Sequence, residues 1–377
     1  MATVINHKHR AAQLSSSEGL VGTALPGQER GRGARSNESG RFERLSRLFA
    51  DDGWQAFEDL PKLRTSVISE KPKTIITRND SPDISFDQSI NPYQGCEHGC
   101  AYCYARPSHA YWGLSPGLDF ETKLFAKTNA AELLRRELSD PRYVPKMIAL
   151  GANTDPYQPV ERQYRITRQI LEVLAEFNHP VGIVTKSALV LRDLDILQPM
   201  AERNLVRVAI SVTSLDAKLS RSMEPRASTP QKRLQALEML SAAGVSTTVM
   251  LAPLVPSVND HEIEAILGAA AAAGVTHAGY VLLRLPREVT LIFQEWLETE
   301  MPDRARRVMS LIRSMRGGKD YESTWGLRQK GSGPYAWTIG RRFELACGKL
   351  GLNRERQRMD LSQFSRPARP GDQLALF

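Results

Sequence analysis

Three cysteines within eight positions, Cys96, Cys100 and Cys103 in the stretch CEHGCAYCYA, constrain this chain more than any other feature. Its 377 residues hold only four cysteines. That is too few for a disulfide scaffold in so long a chain, and a tight thiol cluster in a reducing compartment points to a metal or redox site. A structural zinc ion closes a tetrahedron of four protein ligands, so zinc would have to recruit His98, His109 or distant Cys347. Nothing in the spacing supplies that fourth ligand. A cubane iron-sulfur cluster on three thiolates leaves one iron without a protein ligand, free to bind an external molecule.

From about residue 83 onward, short β-branched runs alternate with amphipathic stretches. Strand candidates are 84–90, 146–152, 181–187, 206–213, 246–254 and 277–285. Between them TNAAELLRREL, RQYRITRQILEVLAEF, LRDLDILQPMAE, TPQKRLQALEMLSAAG and NDHEIEAILGAAAAAG read as helices, two of them ending in AAG, a C-cap signal. Six strands with helical crossovers imply an α/β fold with a parallel sheet, open or curled into a partial (β/α)6 barrel. Functional groups then belong in the loops after the carboxyl ends of the strands. The cysteine loop follows the first strand and sits at that mouth.

The termini read differently. Residues 1–80 are rich in Gly, Ser, Pro and charge, and are expected to be a mostly disordered basic region with at most a short helix in ERLSRLFADDGWQAF. The core that carries the cysteine loop spans 83–300, a helical and aromatic extension 301–365, and a flexible tail 366–377. MATVINHKHR has no apolar signal core, and the longest small-apolar run, 266–275, is too short to span a bilayer, so a soluble cytoplasmic protein is expected. A balance of 50 Lys+Arg against 42 Asp+Glu, with pI near 9.3, is compatible with a polyanionic partner and equally with a basic soluble enzyme.

The C-x3-C-x2-C spacing, with Tyr102 before the third cysteine, resembles the radical S-adenosylmethionine (SAM) superfamily. The resemblance implies an enzyme whose [4Fe-4S] cluster sits on Cys96, Cys100 and Cys103. Its open iron chelates SAM and an electron cleaves it to a 5'-deoxyadenosyl radical. It also implies a reductase or flavodoxin-type electron donor. Polar groups at neighbouring strand ends then become cofactor candidates: Thr154 and Asp155 for the methionine ammonium, Lys186 for the carboxylate, and Ser211 and Thr213, which strand alternation puts on one face, for ribose hydroxyls. Glu224 and Arg226 of SMEPRASTPQKR are further polar contacts. Thr154 and Asp155 read equally as a helix-capping turn, and Lys186 as a solvent-facing lysine.

Within the superfamily, CEHGCAYCYA, TDPYQPVE, VTKS and MEPR are similar to spore photoproduct lyase and its DNA repair photolyase-like relatives, over roughly 83–340. In the lyases a tyrosine directly after the third cysteine relays the radical, and Tyr104 holds that position. The lyases also carry a cysteine hydrogen-atom donor two residues before the polar pair, where this chain has Ala152. The radical-generating half of the mechanism therefore transfers more readily than the substrate.

Two stretches bear on a DNA partner. RGGKDYESTWGLRQKGSGPYAWTIGRR, 316–342, interleaves cations with Tyr321, Trp325, Tyr335 and Trp337, which suits phosphates and extruded bases or, equally, a hairpin closing over the barrel mouth. The final QLALF resembles a sliding-clamp docking peptide, with Leu374, Leu376 and Phe377 filling a pocket and Gln373 making polar contacts; packing of the tail on its own domain is the other reading.

Overall fold

A computed structural model describes residues 31–43, 63–355 and 358–367, together with the backbones of three short upstream strands, β1 (Val4–Ile5), β2 (Gly19–Val21) and β3 (Leu48–Phe49). Apart from Leu48–Phe49 and Glu43, the helix expected in ERLSRLFADDGWQAF lies outside the described residues, as do residues 368–377 with Gln373, Leu374, Leu376 and Phe377.

All six expected strands form: β6 (Gln88–Ile90), β9 (Ile148–Leu150), β10 (Val181–Thr185), β11 (Val206–Ser211), β12 (Ser246–Leu254) and β13 (His277–Leu282). They pair in parallel, in the order β13-β12-β11-β10-β9-β6, and β5 (Thr77–Arg78) adds an antiparallel edge beyond β6. The sheet is open at β5 and β13, which makes the barrel partial. Helices cover one side, so Val181, Ile183, Val206, Val208, Ile210, Val249 and Leu251 are fully buried, which explains the large apolar side chains at alternate positions of the strands. The crossovers are α2 (Ala130–Leu138), α4 (Ile166–Glu176), α5 (Leu194–Glu202), α7 (Pro230–Ala242) and α8 (Ile263–Ala272). Gly244 and Gly274 end α7 and α8 in the left-handed region, as the AAG endings predicted.

One expected helix is split, and so is a second helical stretch. Arg165 adopts φ 51° and separates α3 (Glu161–Tyr164) from α4, while Pro302 restarts the chain after Met301, between α9 (Val289–Glu300) and α10 (Pro302–Ser314).

The reading of residues 1–80 as mostly disordered is corrected in two places. β4 (Ser66–Glu70) pairs in parallel with β8 (Lys123–Lys127), which also pairs antiparallel with β7 (Tyr93–Gln94), and residues 32–34 are buried. These segments show no apolar period because their order comes from hydrogen bonds to distant residues. Residues 316–342 form no hairpin: a loop leads into α11 (Gly333–Leu350).

After α11 the chain runs across the amino ends of the strands. Asn353 N–H donates to Thr276, Asp360 N–H to Asn204 and Ser365 N–H to Phe177. Phe364 packs beside Tyr143 and His179, and Arg366 bonds the Asp140 carbonyl at 2.9 Å. No helix among the described residues is long and apolar enough to cross a membrane.

Candidate active site

The cysteine loop leaves the carboxyl end of β6 by way of β7 and is fixed by its backbone. Cys96 N–H donates to Phe120 O at 2.9 Å, and Arg106, fully buried, donates Nε and Nη2 to Cys100 O at 3.0 and 2.9 Å. Gln158, also fully buried, bonds both ways, from Nε2 to Gly95 O at 3.1 Å and from Glu97 N–H to its Oε1 at 2.9 Å. Tyr93 donates to Glu161 at 2.5 Å. Much of TDPYQPVE therefore braces the cysteine loop.

The three thiols occupy one buried region, where Cys103 packs against the clusters holding Cys100 and Cys96. Burial pushes all three thiols up, Cys100 to about 12. Lys186 opposes this at Cys100 and Cys103, and the N–H groups of Asp155 and Ala105 favour the Cys96 and Cys103 thiolates. Among the described residues no three His, Cys, Asp or Glu side chains converge as ligands of a single ion would.

The structure collects most of the other expected residues around this loop and assigns many of their hydrogen bonds. Thr154, 1 % exposed, donates to Tyr93 O at 2.7 Å. Asp155 accepts from Thr185 Oγ1 and from Lys186 N–H, both at 2.7 Å, and lies 3.4 Å from His98 Nδ1. Burial would raise its carboxyl, but His98 and these donors hold it at about 2. The capping-turn reading of this pair has support, since Asp155 also accepts from Tyr157 N–H at 2.9 Å. Lys186 is half-buried rather than solvent-facing, with Nζ 5.8 Å from the Tyr102 ring centroid.

Glu224 caps α6 (Ala217–Met223) and is 2 % exposed. It accepts from Tyr102 and Arg233, and from Thr213 Oγ1 at 2.5 Å. Burial pushes Glu224 up, yet Arg233, Lys186 and the two hydroxyls bring it below the usual carboxylate value. Ser211, at the end of β11, is buried, and its carbonyl accepts from Arg233. Arg226 reaches outward to Glu97 at 3.2 Å.

The mouth beside the loop is aromatic and cationic. Tyr104, 43 % exposed, donates to the Ala152 carbonyl, so the two positions singled out by the lyase resemblance meet. Arg284, just after β13, lies over the Tyr104 ring at 5.1 Å, with Nη2 3.4 Å from Tyr321 Oη. Among the described residues its buried Nε has no hydrogen-bond partner, and Asp83, the carboxylate that feels its charge, is bonded to Arg328 instead. Of the expected aromatics, Tyr321 is here, Tyr335 bonds Asp260, and Trp325 and Trp337 are exposed elsewhere on the extension. Arg316, Arg328 and Arg342 are taken by carbonyls, Asp83 and Glu264.

His109 is a packing residue, edge-on to Phe120, and burial lowers it to about 4. Cys347, in α11, is buried in the main core away from the loop, with its thiol pushed up to about 11. Sequence reasoning missed Arg106, Glu121, Gln158, Arg233 and Arg284. Gln158 and Arg233 lie inside the quoted TDPYQPVE and SMEPRASTPQKR, and Arg106 directly follows CEHGCAYCYA, but Glu121 and Arg284 had no local signal.

Four further observations place the chain among known proteins. The Radical SAM superfamily model matches residues 90–270. Uncharacterized protein Rv2578c of Mycobacterium tuberculosis is 38% identical over 232 residues, 61% of this chain and 68% of that protein. The radical SAM Nalpha-GlyT isomerase of Pseudomonas phage M6 is 27% identical over 51% of this chain and 39% of its own length. The fold is similar to a spore photoproduct lyase double mutant with bound AdoMet and dinucleoside spore photoproduct, with TM-score 0.55 and 15% identity over 76% of this chain and 80% of that one.

The chain belongs to the radical SAM superfamily, and it is an enzyme using a [4Fe-4S] cluster and SAM. The donor set fits the group: two buried thiols and a half-buried third on one loop, N–H groups at two of the sulfurs, and a cation, Lys186, whose charge acts on both Cys100 and Glu224.

Proposed function

We propose that this enzyme acts on damaged or modified nucleic acid, with Arg284 receiving a substrate phosphate at the mouth of the cysteine site. Arg284 itself carries the reading: a half-buried guanidinium, without an ion-pair partner among the described residues, laid on an exposed phenol beside the third cysteine. A guanidinium fork suits phosphate oxygens, and the flanking phenols of Tyr104 and Tyr321 offer π faces for bases. The lyase fold and the basic composition support the same class.

Bound SAM would supply the adenosyl radical when reduced on the cluster. Cys96, Cys100 and Cys103 would hold the cluster, with Lys186 and Glu224 as the nearest charged groups for the zwitterionic cofactor. Thr154 and Asp155 would chiefly shape that pocket; Ser211 and Thr213 would line its ribose side, and Arg226 would hold the loop from outside. Tyr104 would hand a hydrogen atom to the substrate radical from an O–H anchored on the carbonyl of residue 152, where a methyl replaces the thiol of the lyases, and its phenoxyl would take a hydrogen atom back from 5'-deoxyadenosine. A rearrangement, as the phage isomerase's name indicates for that protein, fits a site without a thiol at this position.

The test is anaerobic reconstitution followed by incubation with ultraviolet-damaged and undamaged DNA. Product formation on damaged DNA above uncoupled SAM cleavage supports the reading. Arg284→Gln should raise KM for that substrate about tenfold, the worth of a charge-assisted bond, and leave uncoupled cleavage unchanged. No turnover on damaged or modified nucleic acid, with SAM cleavage intact, sinks the substrate assignment.

A further inference from the structure

The segment 32–36 lies outside the part of the chain that the superfamily model matches, yet it is built into the cysteine loop. Its anchor is Glu121, fully buried on the short helix α1 (Asp119–Thr122). Glu121 Oε1 accepts from Ala34 N–H at 2.8 Å and from Arg106 Nη2 at 2.5 Å, and Oε2 accepts from Gly33 N–H at 3.0 Å. Arg106 in turn grips the Cys100 carbonyl. One carboxylate thus joins the N-terminal segment to the backbone between the second and third cysteines.

Contact reinforces the hydrogen bonds. A Cβ added at Gly33 would sit 1.6 Å from Gly99 O, so the segment lies flat on the peptide between Cys96 and Cys100 and only glycine fits there. Arg32 adds bonds to Glu121 O and Leu63 O, each at 3.0 Å. Thr65 Oγ1, 3.3 Å from Arg32 Nη2, donates to Glu97 at 2.7 Å, next to Cys96. Ser36 and Arg35 tie the far end to α9 through Glu295 and Glu300.

We propose that residues 32–36 form the outer wall of the cluster loop and that Glu121 is its positioning residue. The segment keeps water and oxygen from the backbone between Cys96 and Cys100 and holds the Cys100 carbonyl through Arg106. Without it, Glu121 would keep Arg106 but lose both N–H donors, a buried carboxylate half satisfied. The inference rests on the cysteine loop and is independent of the substrate.

The experiment uses the full chain and reads hydrogen exchange in the apoprotein, iron content after anaerobic reconstitution, and decay of the cluster's visible absorption in air. In the unmodified chain the amides of Gly33 and Ala34 should exchange as slowly as that of Cys96. Gly33→Val, which wedges the segment off Gly99, should speed exchange across 96–103 and cluster decay about tenfold each while amides of the central strands stay protected. Glu121→Gln, which keeps the shape and removes the charge, should accelerate both in the same direction and serves where Gly33→Val does not fold. Fast exchange at Gly33 and Ala34 in the unmodified chain overturns the proposal, as does unaltered loop exchange and cluster decay in a folded variant. A chain that takes up no four-iron cluster leaves the exchange arm to decide.

Discussion

At residue 152 a methyl sits where a neighbouring hydroxyl, that of Tyr104, meets the backbone. That hydroxyl belongs to the residue directly after Cys103, and burial, with the charge of Cys103 adding to it, pushes the phenol up to about 12. A different single group governs how the N-terminal wall responds to pH. Burial raises Glu295 to about 7, with Glu38 and Glu298 adding to the rise and the Ser36 hydroxyl, at 2.8 Å, opposing it. A carboxyl with a higher pKa folded than unfolded contributes fully below its ordinary value of 4.5, and that contribution is lost as pH climbs through about 7. Glu295→Gln should therefore raise the melting temperature at pH 8 and change it little at pH 5, measured by circular dichroism in low salt. An equal shift at both values would show that Glu295 is ionised throughout.

At the scale of elements, the site is a set of strand ends stapled by buried charge. Glu224 after α6 and Arg233 in α7 are both essentially unexposed, and Arg233 also holds the carbonyls of Ser211 and Ser228. Removing one partner leaves the other uncompensated, so Arg233→Met should cost about 3–5 kcal/mol in denaturant unfolding. Glu224→Gln combined with it should recover part of that loss. Much of this was legible beforehand. The cysteine spacing, the six strands and the MEPR loop located the site's parts because strand period and loop position are local properties. TDPYQPVE was read for cofactor contacts, whereas the fold uses Gln158 and Glu161 to brace the cysteine loop, and no local pattern distinguishes a brace from a ligand.

Across the whole molecule, two chain ends finish what the sheet begins. The N-terminal wall covers the cysteine loop at the carboxyl ends of the strands, and residues 352–355 and 358–367 cross the opposite, amino ends. Phe364, between Tyr143, Phe177 and His179, anchors that lower strap. Phe364→Ala should lower stability by about 1–3 kcal/mol while SAM cleavage per folded molecule stays unchanged, since the site is on the other side. A matching loss of cleavage would couple the two faces. The sequence by itself determined the radical SAM class, the loop of three cysteines and the succession of strands, because three thiols at fixed spacing and apolar period are carried by neighbours in the chain. Tertiary structure alone decided that Glu121 meets Gly33 and Ala34, that Arg284 rests on Tyr104, and that 316–342 ends in a helix. Those contacts join residues tens to nearly two hundred positions apart, and their hydrogen bonds are buried only once the sheet has brought them together.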